Sequence, residues 1–249
     1  MPHWISHRGI DKIVAENSLE SFKLAVEGGY ESLETDLRTT VDGAIILAHD
    51  DDLTRVANQS LKVSKSTYAE VSSVRLADGQ NVLSFEQFVE IFAGQSWVFD
   101  IKPETGESTI RQLYNWATKR HSIDWLSDQA RFLFWSKKQE RFFKRLFPRG
   151  QCMARKSQCY RAGVSSLSGL SALGKIESGV TYSLPPRFLG MNLYSKKIVE
   201  KYHKRGAKLL AFLPSTENQI DQAIEAGFDE ILFDSEIPKK YSSSLRSEN

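Results

Sequence analysis

The feature that most constrains this chain is a regular alternation of short apolar runs with amphipathic stretches. Strand-like runs fall at His3–Ser6, Ser32–Leu37, Ala44–His49, Trp97–Lys102, Arg131–Ser136, Gln151–Ala154, Val180–Leu184, Lys208–Leu213 and Glu230–Asp234. Between them, apolar residues recur at helical spacing, as in Phe85, Phe88, Val89 and Phe92, or Ile220, Ala223 and Ile224 before Gly227. Such alternation predicts an α/β fold with a parallel sheet. One connection breaks the pattern. Ser32–Leu37 and Ala44–His49 are too close for a helical crossover, which takes a dozen residues or more. Asp42-Gly43 between them is a hairpin signal, and a two-residue turn centred there sets Asp36 opposite His49. Ala44–His49 is therefore read as an antiparallel return strand. Eight parallel runs remain, the number a (β/α)8 TIM barrel needs. The expected architecture is one barrel domain over residues 1–249, with an extra β-hairpin return strand after strand 2.

Composition removes other classes. Of 249 residues, 41% are hydrophobic and 26% charged, which excludes a disordered chain and a disulfide scaffold. The net charge of +2 does not suit a nucleic-acid binder. No run reaches the roughly 18 apolar residues of a membrane span. The first residues show no basic start followed by an apolar run, and the two cysteines, Cys152 and Cys159, cannot form a framework. A cytoplasmic protein with reduced thiols is the expectation.

In such a barrel, function gathers where strands end. The first run ends in His7-Arg8-Gly9. The second carries Glu34 and Asp36, two apart and so on one face. The return run ends in His49-Asp50, and the fourth carries Asp100 and Lys102, again on one face. Three carboxylates suit a hard divalent cation, Mg2+ or Ca2+. Arg8 and Lys102 suit a phosphate. His7 and His49 suit an acid/base pair near neutral pH. Together these groups describe phosphoester cleavage.

At these positions the sequence resembles the glycerophosphodiester phosphodiesterase family, within the phospholipase C-like phosphodiesterase superfamily. The resemblance rests on His7-Arg8-Gly9, Glu16-Asn17, Glu34-Thr35-Asp36, Asp42-Gly43, His49-Asp50 and Asp100-Ile101-Lys102. It continues in Ser84-Phe85-Glu86-Gln87-Phe88 and ends in Gly227–Asp234. It implies the barrel, a metal-dependent hydrolase, and hydrolysis of a glycerophosphodiester to glycerol 3-phosphate and an alcohol. It implies His7 and His49 as the acid/base pair, Glu34, Asp36 and Asp100 as metal ligands, and Arg8 and Lys102 as phosphate contacts. The chain departs from the family pattern in places. Asp100 stands where Glu is usual, and Ala15 where Pro is common. Phe134-Trp135 replaces Ser-Phe, Phe212–Ser215 replaces Trp-Thr-Val-Asn, and Phe233 replaces a frequent Thr. An aromatic mouth of Phe134, Trp135 and Phe212 would favour a lipid-like alcohol. A lysophospholipase D-like lipid phosphodiesterase is therefore a competing reading. A barrel decayed into a phosphate-binding module is another.

Two further readings concern local features. Glu16-Asn17 reads as a helix start with Asn17 as the cap, from which Glu16 can still reach the site. Residues 131–161 hold ten basic side chains and one acid, so this stretch is +9 and the remainder −7. Phe142, Phe143, Leu146 and Phe147 at helical spacing read as a sheet-facing stripe under a basic face. The basic 137–156 segment is a candidate for peripheral contact with anionic membrane. The sequence leaves the oligomeric state open.

Overall fold

The computed structural model describes residues 1–10, 14–169 and 171–241. Each of the nine runs expected as strands contains one: β1 His3–His7, β2 Ser32–Thr39, β3 Ile45–Leu47, β4 Ser96–Ile101, β5 Ala130–Phe134, β6 Gln151–Cys152, β7 Thr181–Leu184, β10 Lys208–Phe212 and β11 Glu230–Phe233. A two-residue hairpin, β8 Arg187–Phe188 with β9 Met191–Asn192, was not foreseen. The main helices are α1 Leu19–Glu27, α2 Thr54–Ala57, α3 Tyr68–Ser73, α4 Phe85–Ile91, α5 Gly106–Lys119, α6 Ile123–Gln129, α7 Lys137–Leu146, α8 Lys156–Leu167, α9 Lys196–His203 and α10 Glu217–Ala226. After Pro238, residues 239–241 form a helical turn.

The chain forms two compact units, Met1–Ile5 with Met153–Phe233 and Ile237–Asn249, and Ser6–Cys152 with Asp234–Glu236. In the larger unit β6, β5, β4 and β2 are parallel neighbours in that order, with β3 added antiparallel to β2, and the last two residues of β1 continue the order beside β2. Its core is aromatic. Phe22 packs on Phe88, Phe85 on Trp116, and Phe132 on Phe143, with ring centroids 4.9, 5.1 and 4.3 Å apart. In the smaller unit β11, β10 and β7 are parallel neighbours around buried Leu209, Leu210 and Ala211.

Every residue of β2 is buried. That suits a parallel strand covered on both faces, and it makes the two carboxylates it carries costly unless something compensates them. A second small core forms beneath the β3 excursion, from Ile46, Ala48, Leu53, Val63, Val71, Val74, Leu76 and Val82.

The β2–β3 register differs from the sequence expectation by one residue. Leu37 pairs with Leu47 and Thr39 with Ile45. Thr40 N donates to Ala44 O, so the loop is the three residues Val41-Asp42-Gly43 rather than a two-residue turn. Gly43 takes φ +91°, the left-handed residue that three-residue hairpin loops require. Asp36 consequently faces Ala48, whose N–H it accepts, and not His49.

The helix start also moves by one. Ser18 is the N-cap of α1, in a reciprocal box with Ser21. Asn17 precedes it in the left-handed region with its side chain committed elsewhere. On α7, Phe143 and the following Phe147 are buried, but Phe142 turns outward between Arg111 and Arg145.

Candidate active site

The candidate catalytic, metal and phosphate residues lie on or just after β1, β2, β3 and β4, all within the larger unit. The chain turns sharply after His7: Arg8 and Gly9 take φ +58° and +84°. A side chain at Gly9 would meet Ser21 Oγ at 2.3 Å, so the close approach of α1 behind this turn needs glycine. Arg8 N donates to Glu34 O, which sets the turn against β2.

Glu34, Asp36 and Asp100 are buried, and one oxygen from each lies within 4.8 Å of the other two. Asp36 and Asp100 are direct neighbours in the β2–β4 register. Lys102 Nζ sits between them, 2.7 Å from Asp36 Oδ1 and 2.6 Å from Asp100 Oδ2. Arg8 Nε is 2.9 Å from Asp36 Oδ2, a close ion pair without hydrogen-bond alignment. Asn17 Nδ2 donates to Asp36 Oδ2 at 3.0 Å and its carbonyl accepts from Thr35 Oγ1 at 2.7 Å. Asp100 Oδ1 accepts from the indole N–H of Trp135 at 2.8 Å. Glu34 is the least compensated. Its Oε2 makes no hydrogen bond and lies 4.0 Å from His7 Nε2.

The titration behaviour follows this geometry. Burial, and then the neighbouring Asp36 charge, push the Glu34 carboxyl well above its usual range. Burial likewise raises Asp100, against the pull of Lys102. Burial acts on Asp36 too, but Lys102 and Arg8 outweigh it and hold the carboxyl down. Burial, then the Arg8 charge, lower His7 from 6.5 to about 4, so its imidazole is neutral at neutral pH.

His49 follows β3 with its Nδ1 2.8 Å from Asp50 Oδ1. Arg38, buried on β2, donates to the His49 carbonyl from Nε and Nη2 at 3.1 and 2.6 Å. Glu16 accepts from both Arg8, at 3.4 Å, and Arg55, at 2.7 and 2.9 Å.

The aromatic mouth expected from the sequence is not assembled as drawn. Phe134 is buried on the helix side of β5, 5.1 Å from the Phe143 ring. Strand alternation then turns the next residue, Trp135, the other way, beside Asp100 and 5.5 Å from Lys102 Nζ, with 46% of its surface exposed. Phe212 ends β10 in the smaller unit. Sequence reasoning missed Asn17 as a brace for Asp36, and it missed Trp135 as a donor to Asp100. An Asn before a helix reads as a cap, and an indole reads as a surface, so neither gave a signal.

Known proteins resemble this chain in sequence and in fold. The sequence model of the glycerophosphoryl diester phosphodiesterase family matches residues 7–236. A glycerophosphodiester phosphodiesterase of Caldanaerobacter subterraneus subsp. tengcongensis is 23% identical over 92% of this chain and 93% of its own. The glycerophosphoryl diester phosphodiesterase domain of a Mycobacterium tuberculosis protein superposes with a TM-score of 0.81 at 14% identity, covering 100% of this chain and 99% of that one. An Oleispira antarctica phosphodiesterase, solved with its product sn-glycerol 3-phosphate, gives 0.76 at 20% identity over 99% and 97%. The fold is the (β/α)8 barrel with a return strand after strand 2. With the match running from the first site histidine to the end of the last strand, the chain belongs to the glycerophosphoryl diester phosphodiesterase family, a family of phosphoric diester hydrolases.

Proposed function

We propose that this chain hydrolyses a glycerophosphodiester to glycerol 3-phosphate and an alcohol. His7 and His49 move the protons, Glu34, Asp36 and Asp100 hold a divalent cation, and Arg8 and Lys102 bind the phosphate. The carrying observation is the buried carboxylate trio with one Glu34 oxygen left without a hydrogen bond. Three buried carboxylates repel one another, and a cation is what relieves that cost. The charges also fit. Three carboxylates against Arg8 and Lys102 leave one negative charge in excess. A divalent cation turns that into one positive charge, which complements a phosphodiester monoanion.

The family depends on a divalent cation. All-oxygen donors suit Mg2+ and Ca2+ alike. When bound, the cation supplies Lewis-acid polarisation of the phosphoryl oxygens. The chain's own groups do the rest. Arg8 and Lys102 stabilise charge that develops on the phosphate oxygens. One imidazole takes the proton of the attacking hydroxyl and the other returns a proton to the leaving alcohol. The attacking hydroxyl can be the neighbouring glycerol hydroxyl, giving a cyclic phosphate that water opens.

Activity on glycerophosphocholine with Mg2+ or Ca2+ tests this reading, with release of glycerol 3-phosphate and choline expected. Full turnover by His7→Ala or His49→Ala would overturn the assigned roles. Exposed Trp135 beside the phosphate-binding cations favours a bulkier alcohol as the second reading. Preference for lysophosphatidylcholine over glycerophosphocholine is the outcome that selects it. Cation binding without turnover of any phosphodiester would select a phosphate-binding module.

Three coarser readings accompany this one. Residues 1–249 act as one phosphodiesterase domain, supported by the single family match over 7–236. The cytoplasmic location rests on cysteine usage and is tested by cell fractionation. The basic 137–156 segment touches anionic membrane: Lys137, Lys138, Arg141, Lys144 and Arg145 are exposed on or along α7. Co-sedimentation with phosphatidylserine vesicles that weakens with salt is expected; no binding at low salt removes the idea.

A further inference from the structure

Arg55 belongs to none of the motifs that led to the site. It sits on the four-residue helix α2, half exposed, where an arginine reads as ordinary surface. All three of its guanidinium nitrogens nevertheless donate hydrogen bonds. Nη1 and Nη2 donate to Glu16 Oε2 and Oε1 at 2.9 and 2.7 Å, and Nε donates to Asp50 Oδ2 at 2.6 Å. The other Asp50 oxygen is the one that faces His49 Nδ1 at 2.8 Å. Both oxygens of Asp50 are therefore used, one on Arg55 and one on the imidazole.

We propose that Arg55 is a positioning residue for His49: by clamping Asp50 from one side and anchoring itself on Glu16 from the other, it fixes the imidazole in the Nδ1–H tautomer and leaves Nε2 to exchange the proton. The proposal rests on the reading that His49 moves a proton. An ionised carboxylate accepts only, so the ring nitrogen facing it must be the donor. Burial raises Asp50, but the hydrogen bonds from Arg55 and His49 outweigh it and keep the carboxyl below its usual range. Asp50 alone could not hold this geometry. It is 38% exposed, and an exposed aspartate facing a histidine is a weak, mobile pair. The planar fork removes that freedom, because three N–H groups on two carboxylates define one orientation. Glu16 also faces Arg8 at 3.4 Å, so the anchor of Arg55 is shared with the phosphate-binding arginine. The His49 backbone is held separately by Arg38 through the carbonyl, so removing Arg55 frees the ring and leaves the main chain in place.

The test reads the tautomer directly. Protein labelled with 15N-histidine, with His49 assigned by comparison with His49→Gln, is examined above pH about 8, where imidazoles are neutral. Wild type is expected to show the Nδ1–H form at His49, and Arg55→Met a mixture with the Nε2–H form. Arg55→Lys keeps the charge without the fork and is expected to follow Arg55→Met. In steady-state assays Arg55→Met is expected to lose about tenfold to a hundredfold in kcat with KM little changed, part of what a general acid/base supplies. Arg55→Met combined with Asp50→Ala is expected to be no slower than Asp50→Ala alone. An unchanged His49 tautomer in Arg55→Met overturns the proposal. If that variant does not fold, an unchanged tautomer in Asp50→Ala does so. Full activity of His49→Ala is a separate result: it removes the catalytic reading of His49 and leaves the tautomer measurement standing.

Discussion

At the scale of single residues, Asp100 is held from both sides, by Lys102 on one oxygen and the Trp135 indole on the other. In the proposed role as a cation ligand, a carboxylate one methylene shorter than the glutamate usual at this position would depend more on such braces, since its reach is less. Trp135→Phe keeps the ring and removes the N–H. It is expected to weaken cation affinity about tenfold or more, as loss of a partner to a metal ligand does; calorimetric titration of the cation checks this, and unchanged affinity would refute it. His7 predicts a pH effect. The unfolded chain protonates this imidazole near 6.5 and the folded chain near 4. Between those values the unfolded state holds more protons, so stability falls as pH falls through that window and is present in full above it. The loss is on the order of 3 kcal/mol. Denaturant unfolding across that range should show a shallower acid slope in His7→Gln than in wild type.

At the scale of elements, the start of α1 separates two roles that the sequence merges. Ser18 caps the helix, whereas Asn17 braces Asp36 and Thr35. Ser18→Ala is expected to cost about 1 kcal/mol of stability with cation affinity preserved. Asn17→Ala is expected to lower cation affinity as well, because it leaves a buried carboxylate oxygen short of a donor. Paired unfolding and titration experiments on the two variants separate the effects. Here the limits of the sequence are visible. The nine strands of the main sheet and the Glu34–Asp36 and Asp100–Lys102 faces were legible, because strand periodicity alone fixes which side chains share a face. The β2–β3 register was not, since Asp42-Gly43 serves a two-residue turn and a three-residue loop equally well. Phe134 was misplaced for a related reason: which of two adjacent aromatics faces inward depends on where the strand starts. The Arg55 clamp was invisible because it joins Glu16 and Asp50 through space, with no periodic pattern to mark it.

At the scale of the whole molecule, the near-neutral charge is a sum of opposites: a +9 stretch at 131–161 and a −7 remainder. Part of the basic stretch is answered locally, as Lys138 pairs with Glu107 and Arg149 with Asp124 and Asp128. No helix among the described residues is long and apolar enough to cross a membrane. Cation binding should act on the stability of the whole chain. Burial and the Asp36 charge raise Glu34, so protons compete with the cation for its carboxyl and affinity is expected to increase with pH. A cation at about one hundred times its Kd adds about 2.7 kcal/mol to stability. Thermal unfolding with and without chelator measures this, and calorimetry in buffers of different ionisation enthalpy measures the proton. The same midpoint in both conditions would contradict the metal assignment.

The small core under the β3 excursion has a consequence for timing. His7 and the three carboxylates ride on β1, β2 and β4, deep in the sheet, while His49 is borne by a layer whose own core is eight modest aliphatic side chains. Such a layer opens at lower free energy than the strands beneath it. Amide hydrogen exchange should therefore run faster across residues 45–83 than across β2 and β4. On the proposed assignments, each opening would leave the carboxylate trio assembled but remove one of the two proton carriers, so the time-averaged fraction of competent enzyme would be set by this layer rather than by the barrel.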